Sequence, residues 1–144
     1  MEIVHVTNNN TKIWAQLCNE LWPNNSVDEM LAGFAANEYK NEYMLCLDGL
    51  EVAFISLSIR TDYVEGKADS KPVGYMEGIY VKPEYRRAGI ARTLVSFARE
   101  WSAENGCSML ASDCELANEQ SRLFHNKIGF TEVSTNVHFT MQLG

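Results

Sequence analysis

The spacing of apolar residues along the chain predicts four helices and seven strands. The helical segments carry apolar residues every three to four positions, and the strand segments are rich in β-branched and aromatic residues. The predicted helices are Thr11–Leu21, Ser26–Asn37, Ile90–Asn105 and Leu116–Ile128. The predicted strands are Met1–Val6, Tyr43–Leu47, Val52–Arg60, Val73–Val81, Ser108–Asp113, Phe130–Val133 and Val137–Met141.

Turn and capping residues divide these elements. Ser26 and Glu29 form a capping-box pattern at the start of the second helix, and Asp48-Gly49 is typical of a tight turn between antiparallel strands. The polar stretch 61–71 reads as an exposed loop. The order of strands and helices predicts an α/β fold with a mixed sheet and helices on both faces. With 144 residues and no linker, we expect one domain spanning residues 1–144.

Composition narrows the class of protein. The net charge of −7 argues against a nucleic-acid partner; it favours a cationic substrate, or serves solubility alone. No apolar run is long enough for a membrane span, and the N-terminus does not read as a signal peptide. The four cysteines form no C-x-x-C pair and the three histidines no metal cluster. We therefore expect a cytoplasmic protein without a bound metal.

The segment 73–103 carries the strongest chemical signal. A strand ends before Pro83, and a helix starts near Ile90. Three arginines, Arg86, Arg87 and Arg92, lie in or next to the turn between this strand and this helix. The turn also contains Gly89, which tolerates a positive φ or a close approach of the backbone. The start of a helix offers free N–H groups and a positive dipole end. This combination predicts an anion cradle suited to a diphosphate.

The same segment resembles the acetyl-coenzyme A motif of the GCN5-related N-acetyltransferases. The resemblance rests on the pattern Arg86-x-x-Gly89-x-Ala91 after the strand 78–81, and on the downstream Asn118 and Gly129-Phe130. It implies that acetyl-coenzyme A is the co-substrate, with its pyrophosphate on the turn. Its pantetheine arm is then expected along the preceding strand and beside the later helix that Asn118 and Ser121 open. The cofactor-binding residues implied are Ile79, Tyr80, Val81, Arg86, Arg87, Ala88, Gly89, Ile90, Ala91, Arg92, Asn118 and Ser121.

The resemblance also implies a fold in which the strands carrying Glu77 and Asp113 are parallel neighbours that splay apart around the cofactor. Glu77 lies inside an apolar strand, so its carboxylate is expected to be paired or functional. It could accept a proton directly or through water, bind a cationic amine, or form a structural ion pair. Asp113 ends the neighbouring strand, where ligands often bind, but could also cap a turn. We favour Glu77 as the base and Asp113 as the residue that orients the amine.

A departure from the family pattern concerns the general acid. Many members carry a tyrosine four residues before the glycine that corresponds to Gly129, and this chain carries His125 there. Histidine can donate a proton near neutral pH, so His125 is a third catalytic candidate. A packing role, with the thiolate leaving unassisted, is the alternative.

A closer resemblance is to the bacterial aminoglycoside 6'-N-acetyltransferases, over most of the chain. It is carried by Leu21-Trp22, the loop 59–66, the strand 72–81, Ala111-Ser112-Asp113 and the tail Val137-x-Phe139. It implies direct acetyl transfer to the 6'-amine of an aminoglycoside, antibiotic resistance, and a homodimer that pairs through its C-terminal strands. The substrate-binding candidates are Trp22, Tyr63, Glu77, Asp113, Glu115 and His138.

Two other functions stay open at this point. One is acetylation of a polyamine, peptide or protein amine, and the other is a coenzyme A-binding module without catalysis. The presence of both acids, Glu77 and Asp113, argues against the second.

Overall fold

The computed structural model describes residues 1–61, 64–67 and 69–144. Within these residues one five-stranded sheet is covered by helices on both faces. The strands are β1 Glu2–His5, β2 Asn41–Leu47, β3 Leu50–Arg60, β4 Val73–Val81 and β5 Leu110–Ser112. The α-helices are α1 Thr11–Leu21, α2 Val27–Ala35, α3 Ile90–Glu104 and α4 Glu119–Ile128, and a 3₁₀ turn spans Pro83–Tyr85. In the described part of the chain, no helix is long and apolar enough to cross a bilayer.

The sheet is mixed, which confirms the predicted fold class. The spatial order follows the chain from β1 to β5; the first four strands pair antiparallel and β5 pairs parallel to β4. Residues of β3 alternate between two cores, so Phe54 packs with α1 and α2 while Ala53 and Ile55 pack with α3. The sheet therefore separates the α1–α2 side of the molecule from the α3 side.

A β-bulge in β4 shapes the centre of the sheet. Ser56 of β3 pairs with Gly78 and Leu57 pairs with Met76, which leaves Glu77 as an extra residue. Met76 packs in the core beneath α3, whereas Glu77 reaches Ser58 on the other face. Met76 and Glu77 thus follow the ordinary alternation of a strand, and the bulge places Gly78 on the same face as Glu77, against Trp22, before Ile79 returns to the core beneath α3.

The parallel pairing of β4 with β5 stops near this bulge. Its last pair is Met76 with Ser112, and β4 continues to Val81 without β5 beside it. The resemblance implied a split between these two strands, and the register agrees with it. In the described chain this edge of residues 77–81 therefore has no β5 residue beside it.

The C-terminal elements differ from the prediction. Helix α4 begins at Glu119 rather than Leu116 because the side chain of Asn118 caps it by accepting from the Ser121 amide, at 3.1 Å. The predicted strands Phe130–Val133 and Val137–Met141 are wrong for this single chain. Residues 131–144 form no regular secondary structure and are exposed, because no strand in the described part of the chain supplies hydrogen-bond partners.

Glu42 of β2 is a buried carboxyl between α1 and the sheet. Its relative exposure is 1%, and its two oxygens accept hydrogen bonds from Trp14 Nε1 at 3.1 Å and from Ser56 Oγ at 2.7 Å. Burial raises the pKa of Glu42 to about 7; the two hydrogen bonds oppose the rise and the charge of Glu77 adds to it. The folded protein therefore binds a proton here more tightly than the unfolded chain does.

This shift predicts that Glu42 lowers stability as pH rises from about 4.5 to about 7, by up to about 3 kcal/mol. Glu42→Gln keeps the shape of the side chain but cannot ionise. The free energy of unfolding of the variant, relative to the native chain, should therefore increase between pH 5 and pH 8. Urea denaturation across this range measures it, and a difference that stays constant with pH would contradict the assignment.

Candidate active site

The turn before α3 exposes backbone amides. Arg87 and Gly89 have positive φ values of 66° and 80°, and α3 begins at Ile90. The amides of the first helical turn have no acceptor within the helix, and alternation of backbone conformation turns successive N–H groups toward one side. A Cβ atom placed on Gly89 would have no atom within 4 Å, so space is open above the turn. This geometry fits a bound diphosphate.

Arginine side chains differ in their roles around the turn. Arg86 Nε donates to the carbonyl of Val81 at 2.9 Å, and its guanidinium lies 5.7 Å from the Tyr80 ring. Arg86 therefore fixes the turn to the end of β4. Arg87 and Arg92 are exposed and available to an anion.

Some of the remaining residues predicted to bind the cofactor present backbone groups, and others pack in the core. Ile79 and Val81 pair with Ile55 and Ala53 of β3 on one edge, and their other edge faces the split. Ala88 is exposed, while Ile90 is buried and Ala91 packs against the α3 core. The structure thus places these residues along one path from the split to the turn.

Glu77 takes part in an ion pair. Its Oε1 accepts from Ser58 Oγ at 2.9 Å and from Arg60 Nη2 at 2.8 Å, and its Oε2 lies 3.2 Å from the same Arg60 nitrogen. Both partners remain about a third exposed, at 37% of each side chain. The carboxylate is thus paired and still accessible to a ligand.

Asp113 lies directly after β5 and accepts a hydrogen bond from the hydroxyl of Tyr75. The guanidinium carbon of Arg60 lies 3.4 Å from the centre of the same tyrosine ring. Burial, followed by the hydrogen bond to Asp113 and its charge, raises the pKa of Tyr75, so the phenol stays a donor. Arg60 and Tyr75 therefore link the two predicted acids into one network.

A cavity of about 610 Å³ opens on the α1–α2 side of the sheet, with Glu77 in its wall. Trp22 also lines it and packs on the backbone of Gly78, where a Cβ would lie 2.4 Å from the indole. Only glycine allows this close approach. Two further carboxyl groups, Glu38 and Glu42, line the same cavity. An aromatic wall with several carboxyl groups suits a cationic ligand that carries rings.

His125 of α4 lies at the split between β4 and β5. Its Nδ1 donates to the Ser121 carbonyl at 2.7 Å, and its Nε2 lies 2.9 Å from Ser112 Oγ. Ser112 Oγ also lies 3.2 Å from the carbonyl of Met76. Ser112 Oγ carries one proton. A neutral His125 ring accepts a hydrogen bond from it at Nε2. A doubly protonated ring instead donates to Ser112 Oγ, whose own proton can then bond to the carbonyl of Met76. Through Ser112 of β5, His125 is therefore linked by hydrogen bonds to β5 and to the Met76 carbonyl of β4.

The other predicted site residues are less closely connected. Asn118 and Ser121 are occupied in the capping of α4, although Ser121 also contacts His125. Glu115 is exposed on the loop after β5. His138 lies in the exposed C-terminal segment, apart from this network, and Tyr63 falls outside the described residues.

Four functional candidates were missed by sequence reasoning: Arg60, Tyr75, Glu42 and Glu38. Their contacts depend on strand register and on the packing of α2 against the sheet. A signal was present in β3, where Ser56, Ser58 and Arg60 are polar residues at alternate positions of an apolar strand. Such alternation places them on one face, opposite α3.

Comparison with known proteins finds relatives that are similar over the full chain. An aminoglycoside N(6')-acetyltransferase type 1 from Serratia marcescens is 37% identical, over 99% of this chain and 99% of its own length. The crystal structure of the aminoglycoside antibiotic 6'-N-acetyltransferase AAC(6')-IG from Acinetobacter haemolyticus is 34% identical, covers 100% of both chains and superposes with a TM-score of 0.90. A structure of AAC(6')-Iy with a bisubstrate analogue, CoA-S-monomethyl-acetylneamine, is 30% identical, with a TM-score of 0.88 over 99% of this chain and 98% of that one. Residues 9–130 match the acetyltransferase (GNAT) family.

The strand, turn and helix that form the anion cradle lie inside the matched residues, and so does the split between β4 and β5. The relatives are similar along their whole length rather than in one motif. This chain belongs to the acetyltransferase (GNAT) family.

Proposed function

We propose that this protein transfers acetyl from acetyl-coenzyme A to the 6'-amine of an aminoglycoside antibiotic and thereby confers resistance. The observation that carries the proposal is the position of Glu77. It lies on β4 between the split that leads to the anion cradle and a cavity lined with carboxyl groups. The aminoglycoside 6'-N-acetyltransferases described above, similar over the full chain, support the choice of acceptor.

The donor side suits coenzyme A, which supplies an acetyl group activated as a thioester. The amides before and within the first turn of α3 bind its pyrophosphate, helped by Arg87 and Arg92. Gly89 leaves room for the phosphates to approach the backbone. The free edge of residues 79–81 pairs with the amide groups of the pantetheine arm.

The acceptor side suits a polycationic sugar. Glu77 takes the proton that the acceptor ammonium loses, and Asp113, held by Tyr75, orients the amine. Trp22 covers a sugar ring, Glu38 attracts further amino groups at the mouth of the cavity, and Glu115 attracts them at the loop after β5. The net charge of −7 draws such a molecule toward the protein.

His125 is the proposed proton donor for the departing thiolate. Its Nε2 faces the split through Ser112, and the ring is held between Phe124 and Phe130 with centroids 5.5 and 5.2 Å away. The doubly protonated ring gives its Nε2 proton to Ser112 Oγ, which releases its own proton to the thiolate and leaves His125 neutral.

We also place the enzyme in the cytoplasm. All four cysteines are free thiols, which is typical of a reducing compartment. Transfer of an acetyl group from the thioester of acetyl-coenzyme A is compatible with this location.

The reaction is tested by thiol release with two drugs, a kanamycin-type aminoglycoside that has a 6'-amine and its analogue with a hydroxyl in that place. Turnover should require the 6'-amine, because that group is the nucleophile. Glu77→Gln and Asp113→Asn should each lower kcat about 100-fold or more while leaving the KM for acetyl-coenzyme A within twofold.

Each other outcome has a definite meaning. Equal turnover of both drugs would point to another amine as the acceptor, and turnover of polyamines or peptides alone would replace the aminoglycoside altogether. Thiol release no faster than background with any amine would indicate a binding module.

The anion cradle is tested by Gly89→Ala, with Gly106→Ala as a matched control. Both glycines have φ near 80° and open space around the missing Cβ, so the backbone strain is similar. Only the Cβ at residue 89 would meet a bound pyrophosphate. The dissociation constant for coenzyme A, measured by calorimetry, should rise at least tenfold in Gly89→Ala and stay unchanged in Gly106→Ala. Equal effects of the two substitutions would contradict the cradle.

We further propose a homodimer built from the C-terminal segment 131–144. Its apolar residues occupy odd positions only, which places them on one face of an extended chain. They are Val133, Val137, Phe139, Met141 and Leu143, with exposures of 61%, 74%, 89%, 84% and 95%. In the described chain β5 is an edge strand, and a cavity of about 370 Å³ lies beside it, lined by α3 residues and Phe130. The equivalent segment of a second copy fits this edge.

The dimer is tested by sedimentation of the native chain, Phe139→Asp and the control Thr140→Asp. Phe139 lies on the apolar face and Thr140 on the opposite face of the extended segment. The native chain and the control should sediment at twice the mass of one chain, and Phe139→Asp at the mass of one. A monomeric native chain would contradict the proposal.

A further inference from the structure

Arg60 at the end of β3 connects the two acids of the proposed acceptor site. One of its terminal nitrogens, Nη2, lies 2.8 and 3.2 Å from the two oxygens of Glu77. Its guanidinium covers the ring of Tyr75, whose hydroxyl bonds to Asp113. A cation of the protein therefore already pairs with Glu77 and covers the ring whose hydroxyl bonds to Asp113.

These contacts are the ones that a substrate ammonium would make. A guanidinium and an ammonium both donate to carboxylate oxygens, and both are attracted to an aromatic face. Glu77 Oε1 accepts from Ser58 and from Arg60, and the same Arg60 nitrogen lies 3.2 Å from Oε2, so Arg60 stands in front of both carboxylate oxygens. A second cation cannot take the same position while Arg60 remains there.

The pair is also suited to exchange. Both side chains are 37% exposed, and ion pairs with this exposure contribute little to stability. A buried pair would resist separation, whereas this one can open at small cost. The long side chain of Arg60 gives its charged group room to move away without a change in the strand.

We propose that Arg60 competes with the acceptor's ammonium group for Glu77, so that acceptor binding exchanges one cation for another; this rests on the function proposed above. Arg60 is then a specificity-determining residue. An acceptor with several ammonium groups gains enough attraction from the cavity carboxyl groups to displace Arg60. A simple monoamine gains too little, and the enzyme discriminates against it.

The first test measures acceptor binding by calorimetry in the presence of coenzyme A. Arg60→Gln removes the competing charge but keeps an amide that can bond to Glu77, so the dissociation constant for the aminoglycoside should fall about tenfold. Lys12→Gln, on the exposed side of α1, removes the same charge elsewhere and should change the constant less than twofold. Unchanged or weaker binding in Arg60→Gln would overturn the proposal and make Arg60 a support for the acids.

The second test separates exchange from simple repulsion by returning a guanidinium to the site. Free guanidinium, well below denaturing concentrations, is added to Arg60→Ala, with sodium at equal ionic strength as the reference. If the two cations exclude each other, the apparent dissociation constant for the drug rises in proportion to guanidinium and does not level off. A plateau would mean that both cations bind together, which would overturn the exchange. If Arg60→Ala is unfolded by circular dichroism, Arg60→Gln with guanidinium takes its place.

Failure of the proposed function is recognised separately. The native chain is first assayed for turnover of the aminoglycoside, which does not depend on the role of Arg60. Turnover by the native chain without tighter binding in Arg60→Gln overturns only the exchange. Absence of native turnover removes the aminoglycoside as the substrate.

Discussion

One extra residue in β4 sets which side chains of this strand face the cavity and which face the core. The bulge at Glu77 shifts the pairing of β4 with β3, and the pairing with β5 ends one residue earlier, at Met76. Counted from Met76, Glu77 faces the cavity by ordinary alternation, and the bulge places Gly78 on that face as well, against Trp22. Beyond the bulge, Ile79 and Val81 return to the core beneath α3. In the proposed site, the acceptor position at Glu77 and the donor position along residues 79–81 meet at this irregularity.

The two halves of the site handle charge in opposite ways. The donor half uses backbone amides and a helix start to attract an anion. It therefore needs few basic side chains in a chain that is acidic overall. The acceptor half gathers carboxyl groups, one of which, Glu42, is held by Trp14 and Ser56 below the cavity surface. Arg60 compensates the charge at the point where these halves meet. An arrangement of this kind keeps the acids from repelling one another before a cation arrives.

Sequence reasoning predicted local features well and register-dependent contacts poorly. The turn 86–92 and the helix after it are encoded within a short stretch, so the positive φ of Gly89 and the start of α3 at Ile90 are confirmed. The network of Arg60 with Tyr75 needs the bulged register of β3 on β4, which no single strand pattern specifies. Phe130–Val133 and Val137–Met141 were predicted as strands, but a strand forms only beside a partner, and the described residues of this single chain offer none for these segments.

The central claim is that acceptor amine and thioester meet at Glu77, between β4 and β5. A crystal structure of the protein with coenzyme A and an aminoglycoside tests this most directly. The 6'-nitrogen of the drug should lie about 3 Å from a carboxylate oxygen of Glu77 or Asp113, with the pyrophosphate on the amides of residues 87–92. A drug bound with its 6'-amine on the far side of the sheet, or a pyrophosphate away from that turn, would contradict the account.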